Sequence, residues 1–306
     1  MELRKVNQVG KDTLTVSLPK PWVKRNEIKK GDQLKLETHN NKLVIKTAES
    51  RQEIEAIDTE NLNTFLLNKL ILNAYMKNVS KIMININADK IYNSELETEV
   101  SLANYVSSII STYMGMEIIS HNNKTIIIQN LFEGGEVSNL SLIQKRTISL
   151  FTEFLERVIN SLDSPGDLHN FQIEKEALNI RKFIYHNMRL IVDSEESTFS
   201  KIKFYALYDH LDNSLHSTEK LITLLIQKKP SQKVVALIGE IFVLFIKFLH
   251  IKKNIETPSL NRLIAERHNL LKKISDSNLN VGESKIIREI RIFLNLHHDF
   301  ILANLR

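Results

Sequence analysis

Residues 3–47, LRKVNQVGKDTLTVSLPKPWVKRNEIKKGDQLKLETHNNKLVIKT, constrain the fold of this chain more than any other stretch. Leu3 to Val9 alternate in character until Gly10 breaks the run, and Leu14, Val16 and Leu18 alternate with Thr13, Thr15 and Ser17. A period of two sends successive side chains to opposite faces, so both runs read as strands with one apolar face. Pro19 and Pro21 end the second strand, because proline fixes φ and has no amide hydrogen to donate. Pro21 suits a first helical position, which predicts one or two helical turns over Trp22 to Asn26. Gly31-Asp32 marks a turn, Leu34 and Leu36 open a third strand, and Asn40-Asn41 forms a tight hairpin turn into Leu43, Val44 and Ile45. Four short strands and a stub of helix bury too little apolar surface to stand alone. The segment needs another copy or another domain.

The same segment is lopsided in charge. Residues 1–47 hold eleven lysines and arginines against five acids, a net of +6, where the whole chain has +5. The positive field therefore belongs to the N-terminus. A basic patch on a small β module points to nucleic acid before other partners. The plainer reading is a solvated basic surface on a dimerisation module.

Val9-Gly-Lys-Asp-Thr-Leu-Thr-Val-Ser-Leu-Pro-Lys-Pro-Trp-Val, followed by Lys29-Lys-Gly-Asp-Gln-Leu, resembles the AbrB/SpoVT family of swapped-hairpin DNA-binding domains. The resemblance covers residues 1–48 and implies an obligate dimer whose chains interleave hairpins into one barrel. It also implies DNA contact through basic residues of the first strand, the following loop and the short helix. By position these are Arg4, Lys5, Lys11, Lys20, Lys24 and Arg25.

The chain has 306 residues, which suggests two or three domains. It has no cysteine, so disulfides and thiolate metal sites are excluded. Met-Glu-Leu-Arg-Lys lacks the apolar core of a signal peptide. The most apolar run, Val234 to Leu249, is interrupted by Gly239, Glu240 and Lys247 and is too short and charged to span a membrane. A cytoplasmic, soluble protein without membrane insertion is expected.

Residues 48–60 are polar and aperiodic and read as a linker. Apolar spacing predicts a helix from Leu62 to Met76, β-branched alternation a strand beginning at Lys81, and spacing again a helix from Asn93 to Met114. Gly115 sits just past that helix, and Met116-Glu-Ile-Ile and Thr125-Ile-Ile-Ile-Gln make a hairpin around Asn122-Asn123. Residues 49–135 thus read as a small α/β connecting domain. Turn signals divide 136–306 into six helices at about 137–162, 168–192, 198–228, 232–253, 258–275 and 282–304. Short connections between long helices make antiparallel neighbours, and the simplest packing is a pair of three-helix bundles. The expected fold class is multidomain α+β, with an all-α C-terminal region.

The six-helix region resembles the PhoU-type phosphate uptake regulators, built from two repeated three-helix bundles. With the N-terminal module and the middle segment, the layout is similar to that of archaeal PhoU-like regulators. The third helix carries Asp209, Asp212, His216 and Glu219 at spacings of three, four and three, along one stripe beside Leu207, Leu211 and Leu215. Carboxylates and imidazole so placed suit iron, zinc or manganese. PhoU-type proteins carry Glu/Asp-x-x-x-Asp pairs for metal clusters, but here the pairs are Asp212…His216 and Asn295…Asp299, and Asn179 stands where an acid is wanted. Each lost carboxylate removes a charged ligand from a hard-cation site. No bound metal or cofactor is expected, and a solvated helix face is the favoured reading. His297 and His298 point about 100° apart on a helix and do not easily share one ion. Lys228-Lys229, Lys252-Lys253 and Lys272-Lys273 lie near helix C-termini, where cations offset the helix dipole.

No nucleophile–base arrangement or nucleotide fingerprint is visible, so no enzyme is expected. The expected function is a homodimeric or higher-oligomeric transcriptional regulator on double-stranded DNA, tied by the PhoU resemblance to phosphate uptake or signalling. The alternative is an adaptor acting by protein contact on a phosphate transporter or sensor kinase, with the N-terminal module serving only to dimerise.

Overall fold

The computed structural model describes residues 3–39, 42–47, 54–94, 96–131, 140–162, 172–194, 196–228, 230–251, 257–276 and 283–304, with the side chains of 37, 39, 42, 44, 46, 193, 257, 276 and 297–304 excepted. The chain divides into two compact units, 1–53 and 54–306.

The first unit is two hairpins and a helical stub. β1 (Val6–Val9) pairs antiparallel with β2 (Thr13–Val16), in the register Val6↔Val16 to Val9↔Thr13. Gly10 takes φ +81° in the turn between them, a conformation open to glycine without a Cβ clash. α1 (Lys20–Arg25) follows, with Pro19 as its N-cap. Its first turn tolerates Pro21, whose missing N–H has no intrahelical partner to lose there. Gly31, at φ +99°, turns the chain, while the Asp32 carboxylate accepts from the Lys29 amide at 2.7 Å. β3 (Leu34–His39) and β4 (Lys42–Thr47) form the second hairpin, from Leu34↔Thr47 to His39↔Lys42. Its expected Asn40-Asn41 turn lies outside the described residues. The two hairpins form separate two-stranded ladders. No described residue of this unit is buried.

The second unit opens with β5 (Ile54–Asp58), where the sequence suggests only a linker. Its signal is masked because it is an edge strand whose partner, β6 (Lys81–Asn85), lies a helix away and pairs in parallel. Parallel neighbours need a crossover, supplied by α2 (Thr64–Met76). The Asn63 side chain caps α2 by accepting from the Leu66 amide at 2.9 Å. The expected helix over 93–114 is corrected: β7 (Lys90–Asn93) and β8 (Thr98–Ser101) make a hairpin, and only Leu102–Ile110 is helical, as α3. Apolar spacing runs unbroken from Val100 through Ala103 and Val106, which hides the boundary. Ser101 sets it, its hydroxyl accepting from the Asn104 amide at 3.4 Å. β9 (Met116–His121) and β10 (Thr125–Asn130) complete a sheet of order β5-β6-β10-β9. The β9–β10 turn is held by the Asn122 side-chain oxygen Oδ1, which accepts from the Lys124 and Thr125 backbone amides. Ile82, Ile84, Ile126 and Ile128 point from the sheet to the buried side of α2 and α3, where Leu67, Ile71, Val106 and Ile110 meet them.

Six helices follow: α4 (Leu140–Ser161), α5 (Ile173–Asp193), α6 (Thr198–Lys228), α7 (Gln232–Leu249), α8 (Thr257–Asp276) and α9 (Ser284–Asn304). α4 packs on α5 and α7, α5 on α6, α6 on α9, and α7, α8 and α9 on one another. Phe151 of α4, Phe245 of α7 and Phe293 of α9 meet edge to face at 5.5 and 5.2 Å between centroids. Such aromatic pairs add about 0.5–1.5 kcal/mol beyond the area they bury.

The helices and the α/β layer belong to one unit because α5 is pinned to α2. Tyr75, Tyr113 and Tyr185 stack in series at 4.9 and 5.5 Å. The buried Arg189 guanidinium lies 4.7 Å from the Tyr75 ring centroid and donates to the Asn78 carbonyl oxygen. Asn78, at φ +57°, follows the end of α2, where the negative end of the helix dipole favours a cation. Asn130 of β10 donates to the same oxygen at 3.1 Å, so three elements meet on one side chain.

Arg189→Ala removes a desolvated cation–π contact worth about 2 kcal/mol and a hydrogen bond worth roughly 1 kcal/mol. It should destabilise the unit by about 2–4 kcal/mol in urea titration.

Burial, reinforced by the charge of Arg189, pushes the neighbouring His186 imidazole down to about 4. The unfolded imidazole takes its proton near the ordinary pKa of about 6.5, so between these values the unfolded chain binds more protons. Stability should fall as pH drops through this window, and His186→Gln should flatten that dependence in urea titrations at several pH values.

Candidate nucleic-acid interface

The six candidate contact residues, Arg4, Lys5, Lys11, Lys20, Lys24 and Arg25, are all exposed. Arg4 and Lys5 lead into β1, and the Arg4 guanidinium donates to the Ser17 hydroxyl at 3.3 Å, just beyond β2. The Val6↔Val16 register thus places the start of β1 beside the approach to α1. Lys20 and Lys24, four apart, share one face of α1, while Trp22 and Val23 are half-buried on the other side. Arg25 ends the helix, with Lys24 in its last turn, where cations are favoured. Lys11 stands apart in the β1–β2 turn, where the Gln8 side-chain amide donates to the Lys11 carbonyl at 3.0 Å. Strands rise about 3.3 Å per residue, so this tip is roughly 10 Å from the Val6 end. The unit therefore presents cations at both ends of its first hairpin, an arrangement suited to contacting separate phosphates.

The acidic stripe of α6 is divided. Asp212 and Glu219 turn toward α5 and are claimed by Arg181, whose Nε donates to Asp212 Oδ1 at 2.9 Å and whose Nη2 donates to Glu219 Oε2 at 2.7 Å. The Tyr185 hydroxyl donates to the other Asp212 oxygen at 2.9 Å. Burial opposes the charge of Arg181, but Asp212 and Glu219 more than offset it and hold the guanidinium above its ordinary pKa. Burial, followed by the Asp212 charge, likewise raises the Tyr185 phenol. The side chains of Asp212 and Glu219 are only about a quarter and a fifth exposed, at 25% and 21%, so the solvated-face reading does not describe them. Asp209 and His216 are exposed, and Asp209 accepts from the Asn213 amide at 3.1 Å. The Asp299 side chain lies outside the described residues, as do those of His297 and His298. Asn295 accepts from Arg267 at 3.3 Å. Among the described residues no group of three His, Asp or Glu side chains is placed to hold a metal ion.

Arg181 and Tyr185 escape sequence reading because their acidic partner comes some thirty residues later, on another helix. Only the antiparallel pairing of α5 and α6 joins them. The Arg4–Ser17 contact is hidden in the same way by hairpin register.

Among the described residues no helix is long and apolar enough to cross a membrane. No curated protein and no solved structure matches the chain. A family model, Antidote-toxin recognition MazE, bacterial antitoxin, matches residues 8–53. That family is of the AbrB-like swapped-hairpin kind, which supports the expectation for the N-terminal unit.

Proposed function

We propose that this chain is a dimeric DNA-binding transcriptional regulator without a catalytic step, its helical body receiving a signal linked to phosphate uptake. One observation carries the dimeric part. Each hairpin of the first unit carries exposed apolar side chains: Leu14 is 69% exposed, Leu36 63% and Val6 62%. Apolar side chains gathered on one strand face mark a surface that a partner covers. Interleaving with the hairpins of a second copy closes both faces and doubles the basic surface formed by Arg4, Lys5, Lys11, Lys20, Lys24 and Arg25. The phosphate link rests on the likeness of the helical region to PhoU-type regulators. Two groups of three helices, α4–α6 and α7–α9, with α6 on α9 and α4 on α7, fit that likeness.

The matched family's description favours a second reading, an antitoxin-type regulator whose head serves a protein partner. Salt dependence separates the two. Lysine and arginine contacts to phosphate release condensed counterions, whereas a head that only dimerises does not.

If three or four of the six cations per chain reach phosphates, a dimer neutralises roughly 6–8, and log K against log salt should have a slope of about −5 to −7. Lys11→Ala should weaken all duplexes alike and reduce the slope by about 2 for the symmetric dimer. Fluorescence anisotropy over a salt series measures both. A slope near zero leaves the head as a dimerisation module only.

Leu14→Asp puts a charge into the face that a second copy would cover. It should give a monomer in sedimentation and lose DNA binding, while residues 54–306 keep their helical circular dichroism.

A further inference from the structure

The helical body carries its own electropositive end. The Ser231 amide donates to the Glu283 carboxylate at 2.8 Å, which ties the start of α7 to the start of α9. Glu283 is buried and spent on that bond. Around this joint stand Lys228, which ends α6, Lys233 in the first turn of α7, and Lys285 in the first turn of α9. Arg288 and Arg291 continue along α9 at three-residue steps, and all five are exposed. Among the described residues none of the five makes an ion pair closer than 4.0 Å. The six residues before Glu283 include no acid.

Two features set this patch apart from ordinary surface charge. Residues 54–306 are balanced, with 29 acids and 29 bases once the 7 and 12 of residues 1–53 are set aside from 36 and 41. The positive charge is therefore gathered locally rather than spread. In addition, the dipole reading suits Lys228, at a helix C-terminus, but not Lys233 or Lys285, which lie at helix N-termini where a cation is disfavoured. Neither of those helices has an acid in its first turn. The buried Glu283 carboxylate is the acid the structure places at these two starts, and an anionic partner would add to it in offsetting the exposed cations.

We infer that Lys228, Lys233, Lys285, Arg288 and Arg291 form a second contact surface for duplex DNA, engaging phosphates beyond those held by the N-terminal unit. This inference rests on the DNA-binding reading above. Charge complementarity selects the partner: α9 presents cations about 4.5 Å apart along its axis to a backbone with one charge per roughly 1.7 Å of duplex. Among the five only arginine and lysine occur, so the contact carries charge without side chains suited to reading adenine or cytosine edges.

The test compares the full-length chain with its Lys233→Glu/Lys285→Glu/Arg288→Glu variant on duplexes of about 20 base pairs, two helical turns, and about 50 base pairs sharing one core sequence. Wild type should bind the longer duplex roughly tenfold or more tightly at low salt, with a slope steeper by about 5 for three added phosphate contacts per chain. The variant should bind both duplexes as wild type binds the short one. Its melting temperature should not fall, because acids replace cations at two helix N-termini. Identical long-duplex affinities and slopes for variant and wild type overturn the second surface while leaving the first. Absence of wild-type binding to either duplex overturns both. Variant-sensitive flotation with phosphatidylserine vesicles, with duplex binding unchanged, would assign the patch to a lipid surface and also overturn it.

Discussion

An incomplete hydrophobic core governs the first unit. Residues 3–47 build two hairpins that are each well registered and each open on one side. Hydrogen bonding fixes the ladders, but strand pairing alone does not remove Leu14 or Leu36 from water. Stability at this end must come from outside the unit, so in the proposed dimer its folding and its assembly would be one equilibrium. The position of the cations follows from that constraint. Arg4 reaches Ser17 only while β1 and β2 keep their register, and Lys20 and Lys24 share a face only while α1 is helical.

The second unit solves the opposite problem. Its layers bury ample apolar surface, and the difficulty is to fix one orientation of helices against an α/β layer. Directional contacts do this where apolar packing is permissive. The three stacked tyrosines, and Arg189 between the Tyr75 ring and Asn78, specify both distance and angle. Arg189 is tolerable there because a π face and a helix C-terminus both receive its charge. The Arg181–Asp212–Glu219 group performs a similar service between α5 and α6. It sits near enough to solvent to avoid the full desolvation cost of a buried ion pair.

Much of this was legible in the sequence where periodicity and punctuation agree. The helix from Thr198 to Lys228 was bounded at its end by Pro230, and the β9–β10 turn was marked by Asn122-Asn123. The strand character of β2 follows from strict alternation between Thr13 and Leu18. Legibility failed where partners are remote or where two periods overlap. β5 has no local pattern because its partner strand is parallel and across α2. The β7–β8 hairpin was hidden because Val100 and Ala103 continue the apolar spacing of α3 across a boundary set by one serine hydroxyl. The proposed DNA-contact residues rest on motif and charge. The ties of Asp212 and Glu219 were not legible, since nothing near them in sequence announces Arg181.

The length of α6 carries a mechanical consequence. At 31 residues and about 1.5 Å per residue it is a rod of roughly 46 Å. Along one side it lies on α5, which holds the tyrosine stack and Arg189, and along the other on α9. Helices resist bending far more than their side-chain contacts resist sliding, so the rod moves as a whole. A tilt of about 5° pivoting at one end displaces the other sideways by roughly 4 Å. Packed ridges cannot absorb that continuously and must step to the next groove. Displacement along this rod would therefore be registered in discrete positions rather than as a graded strain.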